Sequence, residues 1–202
     1  MRDLACDAGA LIRALDLGPC HVVGLSLGGM VAFQLAVDQP ELVRSLVIVN
    51  SGPEVIARTT GGSVALAIRR AMSWCLPMRW LGVAIAARLF PREAQGPMRR
   101  AFVAGFATNH RPSYRRAMAA ILGWSVSDRL EAVSQPALVI SGDRDYTSVE
   151  RKRSYVGRMP RATLRVVEDS GHATPVDQPA AFNGMVLEFL EQVEAERFEG
   201  QR

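Results

Sequence analysis

The sequence predicts an α/β fold built on a mostly parallel sheet, and three observations point there. Short runs rich in branched apolar residues alternate with helical patterns, the order that produces strand, helix and parallel strand in succession. About half of the 202 residues are apolar, enough to bury the substantial core of a single domain. One long interval, residues 53–130, holds no convincing strand, and its length is that of a helical insertion rather than a loop.

The elements follow in order. Leu4, Ala8, Leu11, Ile12 and Leu15 share one helical face, and Gly18-Pro19 closes that helix. Cys20-His21-Val22-Val23 reads as a buried strand, and Met30 to Ala36 has helix composition. After a break at Gln39-Pro40, Ser45 to Val49 forms a second strand. Helices are expected at 65–70, 80–89, 98–106 and 114–124, punctuated by Pro77, Pro91, Pro97 and Pro112. The third and fourth strands are Pro136 to Ser141 and Thr163 to Glu168, and Phe182, Met185, Val186, Phe189, Leu190 and Val193 stripe a closing helix. The organisation is thus a core in two parts, residues 1–52 and 131–202, interrupted by the helical segment 53–130.

Between the first strand and the next helix stands Gly24-Leu25-Ser26-Leu27-Gly28-Gly29, a Gly-x-Ser-x-Gly string in the context of a nucleophile elbow. A tight strand-to-helix turn strains its central residue, and flanking glycines let the two arms approach without side-chain clashes. Ser26 is thereby pushed out above the sheet, and the free N–H of Leu27 at the helix start can stabilise an oxyanion. The plainer reading is an ordinary glycine turn.

Serine is a weak nucleophile near neutral pH and needs a base and a group to orient that base. Of three histidines, His21 lies in an apolar strand and reads as structural, whereas His110, in Asn109-His110-Arg111-Pro112, reads as solvated. His172 follows a strand and the turn Asp169-Ser170-Gly171, where a mobile general base is expected; a structural loop histidine is the alternative. The acid falls in Gly142-Asp143-Arg144-Asp145 at the end of the third strand, and chain order alone leaves Asp143 and Asp145 in competition.

These three blocks, the elbow, Pro-Ala-Leu-Val-Ile-Ser-Gly-Asp-Arg-Asp and Ser-Gly-His-Ala-Thr-Pro-Val-Asp-Gln-Pro, resemble the α/β-hydrolase superfamily of serine-nucleophile, esterase-like enzymes. The resemblance implies Asp145 as the acid, since it ends a Gly-x-x-Asp turn, with Asp143 a turn or surface residue. Asp177 stands where many relatives carry Glu, at a supporting position. The resemblance also implies that 53–130 is a cap governing specificity, and that strands expected upstream of the first helix are missing from this chain. That would leave Leu27 as the sole oxyanion donor and a strand edge exposed, favouring self-association. The implied activity is acyl transfer through acyl-Ser26, on a carboxylic ester, lactone or related carbonyl compound. An acyltransferase and a noncatalytic remnant or binding module are the alternatives.

Composition narrows the remaining classes. Cys6, Cys20 and Cys75 are odd in number without metal-ligand spacing, so free thiols and a cytoplasmic location are expected, with neither cofactor nor metal. The first seven residues lack a signal peptide's apolar core. The apolar stretch 71–90 is interrupted by Pro77, Arg79 and Arg88, so no integral membrane span is expected. Twelve arginines against Glu54, Glu93 and Asp128 make 53–130 strongly basic in a chain of net charge +4. Such a charge can steer an anionic substrate or favour anionic lipid surfaces, although a solvated helix face is the plainer reading. Nucleic-acid binding has no motif behind it, and the expected partner is a small-molecule substrate.

Overall fold

The structure, a computed structural model, describes residues 1–57 and 59–199. It divides into two compact units, one formed by Met1–Glu54 with Ser125–Arg202 and the other by Val55–Trp124.

The first unit is an α/β layer structure. Its four strands, β1 (Cys20–Leu25), β2 (Val43–Val49), β3 (Ala137–Gly142) and β4 (Ala162–Val167), pair in that spatial order, and every pairing is parallel. β2 and β3 are almost wholly buried, as expected where both faces of a parallel sheet are covered. Val47, Val49, Leu138, Ile140 and Val167 form one face of the core, with Phe182, Met185, Val186 and Phe189 of the long C-terminal helix packed against them. Burying each such side chain contributes about 1.5–3 kcal/mol. Leu46 and Ile48, also fully buried, alternate with Val47 and Val49 and so point to the opposite face.

The helices of this unit are α1 (Arg2–Ala14), α2 (Leu27–Asp38), α7 (Val149–Val156), α8 (Thr174–Asp177) and α9 (Pro179–Glu199), those of the other unit taking the intervening numbers. α1 departs from the expected apolar face. Its buried residues are Ala5 and Gly9, whereas Leu11 and Leu15 are 59% and 58% exposed. The cause is close packing, because a Cβ on Gly9 would lie 2.4 Å from the Gln39 side chain. Small residues, not large apolar ones, admit that approach. His21 has the structural role expected of it, with Nδ1 2.8 Å from Ser45 Oγ and Nε2 3.0 Å from Glu194 Oε1 on α9. Cys6, Cys20 and Cys75 are all free.

The second unit consists of α3 (Thr60–Cys75), α4 (Met78–Leu89), α5 (Gly96–Ala107) and α6 (Arg111–Ile121). Each is longer at its start than the sequence pattern indicated, and α6 stops at Ile121 rather than Trp124. The prolines act as starters: Pro97 and Pro112 sit in the first turns of α5 and α6, and Pro77 caps α4. Phe90, Phe102, Phe106 and Tyr114 form a chain of ring contacts with centroids 5.3–6.2 Å apart. His110 precedes α6 and its Nδ1 lies 3.0 Å from Ser113 Oγ, an exposed local contact. No helix among the described residues is long and apolar enough to cross a membrane.

Register fixes where chemistry can occur. Leu25 aligns with Val49, Val49 with Ile140, and Ile140 with Arg165, so the carboxyl ends of all four strands reach one edge of the sheet. The loops carrying Ser26, Asn50, Asp145 and His172 all leave from that edge, where open α/β sheets place their ligand sites.

Candidate active site

Ser26 joins β1 to α2 with φ 54° and ψ −113°, a backbone state that a residue with a side chain occupies only under strain. Three hydrogen bonds hold it there. The Ser26 N–H donates to Val49 O at 2.9 Å, while its carbonyl accepts from Ser51 Oγ at 2.6 Å and from the Met30 N–H at 3.2 Å. The turn is tight enough that a Cβ at Gly24 would sit 2.4 Å from the Gly28 carbonyl. Leu27 is the first residue of α2, so its N–H has no acceptor within the helix.

Asp145 and His172 come together. His172 Nδ1 lies 2.7 Å from Asp145 Oδ1, and the two side chains are 7% and 0% exposed. Burial alone would raise the Asp145 carboxyl, but hydrogen bonds from His172, Lys152 and Thr147 outweigh it and hold the group below its ordinary range. An ionised carboxylate on Nδ1 fixes the tautomer in which Nε2 is free to accept a proton. Asp143 does different work. Its Oδ1 accepts the Ser170 N–H at 2.9 Å, tying the acid loop to the histidine loop. Asp177 likewise supports that loop by accepting the Gly171 N–H at 2.8 Å.

Three features were not legible in the sequence. The first is Asn50, 1% exposed and at φ 44°, a region Asn tolerates better than most residues. Its Nδ2 donates to the carbonyls of Gly171 and His172 at 3.2 and 2.8 Å and to Thr174 Oγ1 at 2.7 Å, while Oδ1 accepts the Gly142 N–H at 2.9 Å. One side chain at the end of β2 therefore sets the height of the base and of the acid strand. The second is Tyr146, whose hydroxyl lies 2.8 Å from His172 Nε2 and whose ring stacks on the imidazole at 4.1 Å. Among the described residues Ser26 Oγ makes no hydrogen bond to His172, so this hydroxyl occupies the nitrogen that would receive the serine proton. The third is Lys152 on α7, buried beneath the carboxylate. Its being the sole lysine in an otherwise arginine-only chain was the only available signal.

The chemistry these groups can perform is proton transfer coupled to attack by a hydroxyl. A half-buried serine hydroxyl on a strained turn, a helix N-terminal N–H next to it in sequence, and an imidazole hydrogen-bonded to an ionised carboxylate are groups that acyl-transfer chemistry can use. No group of three His, Cys, Asp or Glu side chains suited to a metal occurs among the described residues.

Comparison with known proteins agrees with the fold. Residues 1–185 match the model described as the Alpha/beta hydrolase family. A protein of Variovorax paradoxus strain S110 named "Putative carbamate hydrolase RutD" is 32% identical over 205 residues, covering 96% of this chain and 74% of the relative. A poly(3-hydroxyalkanoate) depolymerase of Ectopseudomonas oleovorans is 28% identical, over 94% of this chain and 67% of its own length. In fold, the enol-lactonase of Burkholderia xenovorans LB400 superposes with a TM-score of 0.85 at 21% identity, covering 94% of this chain and 72% of that one.

Proposed function

The chain belongs to the alpha/beta hydrolase family, and from that premise we propose that it is a serine hydrolase cleaving a carboxylic ester, lactone or related carbonyl compound through an acyl-Ser26 intermediate. The observation that carries the reading is the buried Asp145–His172 hydrogen bond at the sheet edge from which the strained Ser26 turn also leaves. The relatives support the substrate class. A carbamate and a poly(3-hydroxyalkanoate) each present a carbonyl carbon bearing an oxygen or nitrogen leaving atom.

In this mechanism Ser26 Oγ attacks the carbonyl carbon while its proton passes to His172 Nε2. The Leu27 N–H donates to the developing oxyanion, and Asp145 stabilises the imidazolium. His172 then protonates the leaving atom. Water attacks the acyl-serine by the reverse proton path and releases the acid. An acyltransferase would differ only in the acceptor that replaces water. Substrate preference is assigned to the helical unit, whose sequence is expected to form the cap.

A fluorophosphonate probe tests the proposal, because it phosphylates only an activated serine with loss of fluoride. Wild-type protein is expected to label and Ser26→Ala not to. Folded wild-type protein that fails to label would overturn the reading in favour of a noncatalytic module, an alternative that Tyr146 on Nε2 supports. For the active reading, the Tyr146 contact describes a resting state that substrate must displace. Tyr146→Phe removes a hydrogen bond worth about 0.5–1.5 kcal/mol, so labelling should accelerate roughly two- to tenfold in a time course against wild type.

A further inference from the structure

Lys152 has no place in the serine, histidine and aspartate chemistry, yet it is one of the most buried side chains in the protein. It is 1% exposed, and its Nζ donates to Asp145 Oδ2 at 2.6 Å, to Thr147 O at 2.7 Å and to Thr147 Oγ1 at 2.8 Å. All three ammonium protons thus have acceptors. Thr147 Oγ1 in turn donates to the same Oδ2. The two carboxylate oxygens of Asp145 are therefore divided, Oδ1 facing His172 and Oδ2 held from below.

A surface lysine would be the cheaper structural choice, since a buried ammonium survives only with full pairing. Burial lowers this ammonium and the contact with Asp145 opposes that lowering. We infer that Lys152 is a positioning residue that holds the Asp145 carboxylate in the orientation in which Oδ1 meets His172 Nδ1. The inference rests on the serine-hydrolase reading. The charged and titratable groups around the Asp145–His172 pair are Tyr146 from the loop after β3, which meets His172, Arg151, Lys152 and Tyr155 of α7 on the Asp145 side, and Asp143 and Asp177 bracing the histidine loop. Of these cations, only Lys152 hydrogen-bonds the carboxylate.

The test is fluorophosphonate labelling resolved into a probe-binding constant and an inactivation rate constant, in wild type, Lys152→Met and Thr147→Val, with circular dichroism to confirm folding. In Lys152→Met the inactivation rate constant should fall roughly tenfold as the carboxylate loses its anchor, with probe binding unchanged. Thr147→Val, which keeps both charges and nearly the same volume, should lower the same constant by less. A folded Lys152→Met with wild-type constants would overturn the inference. Should that variant not fold, Thr147→Val decides: a lowered inactivation constant supports the role, and an unchanged one overturns it. Ser26→Ala run in parallel separates the two readings, since Ser26-independent labelling in wild type sinks the parent proposal whatever Lys152 does.

Discussion

His172→Ala is expected to lower kcat/KM for an activated ester such as p-nitrophenyl acetate by on the order of ten thousand- to a million-fold, with the fold intact. That loss corresponds to about 5–8 kcal/mol of transition-state stabilisation. It is large because in the proposed mechanism the imidazole acts twice, taking the Ser26 proton and returning it to the leaving group. The fold should survive because the backbone contacts of this position persist and Asp145 keeps its partners Lys152 and Thr147. The His172 carbonyl still accepts from Asn50 Nδ2, and Asn50 still reaches Gly171 and Thr174. Steady-state kinetics beside a thermal melt checks both halves. A residual rate within tenfold of wild type in folded protein would remove His172 from the mechanism.

The second large effect is on stability. Gly24→Ala would place a methyl 2.4 Å from the carbonyl carbon and oxygen of Gly28 and 2.6 Å from Gly29 N. These are backbone atoms of the α2 start, so no side-chain rotation relieves the clash. The strand and helix must part, at a cost of about 3 kcal/mol, which in a chain of this size lowers Tm by roughly 6–12 °C. The displacement also moves Ser26, so activity should fall by more than the folded fraction explains. Gly28→Ala is the control. A Cβ there meets nothing within 4 Å, and its melting temperature should stay close to wild type. Equal melting of the two variants would show that the tight approach at Gly24 is not what holds the turn.

How much of this was readable beforehand depended on whether a residue's role is local. The two inner strands were legible because burial on both faces of a parallel sheet demands continuous branched apolar runs, and Val43–Val49 and Ala137–Gly142 supply them. The Ser26 turn was legible because its glycines are a local steric requirement. α7 was not recognised, since Val-Glu-Arg-Lys-Arg-Ser-Tyr-Val buries only Lys152 and Tyr155, neither of which reads as core. The exposed Leu11 and Leu15 of α1 failed for the converse reason: the neighbour that selects its buried side is Gln39, 30 residues on from Gly9. Asn50 and Tyr146 were beyond reach because their meaning lies in partners 26 to 124 positions away, which no periodicity encodes.

The Asn50 bridge has a bearing on synthesis. It joins residues 121 to 124 positions apart. A ribosome that has completed the Ser26 turn and β2 has made the proposed nucleophile, but the proposed acid and base arrive only with the last third of the chain. Until then the Asn50 amide has none of its native acceptors, and Ser26 has no base. The emerging polypeptide is therefore chemically silent by construction, and the appearance of reactivity toward a serine-directed probe would report that β3, β4 and the histidine loop have docked.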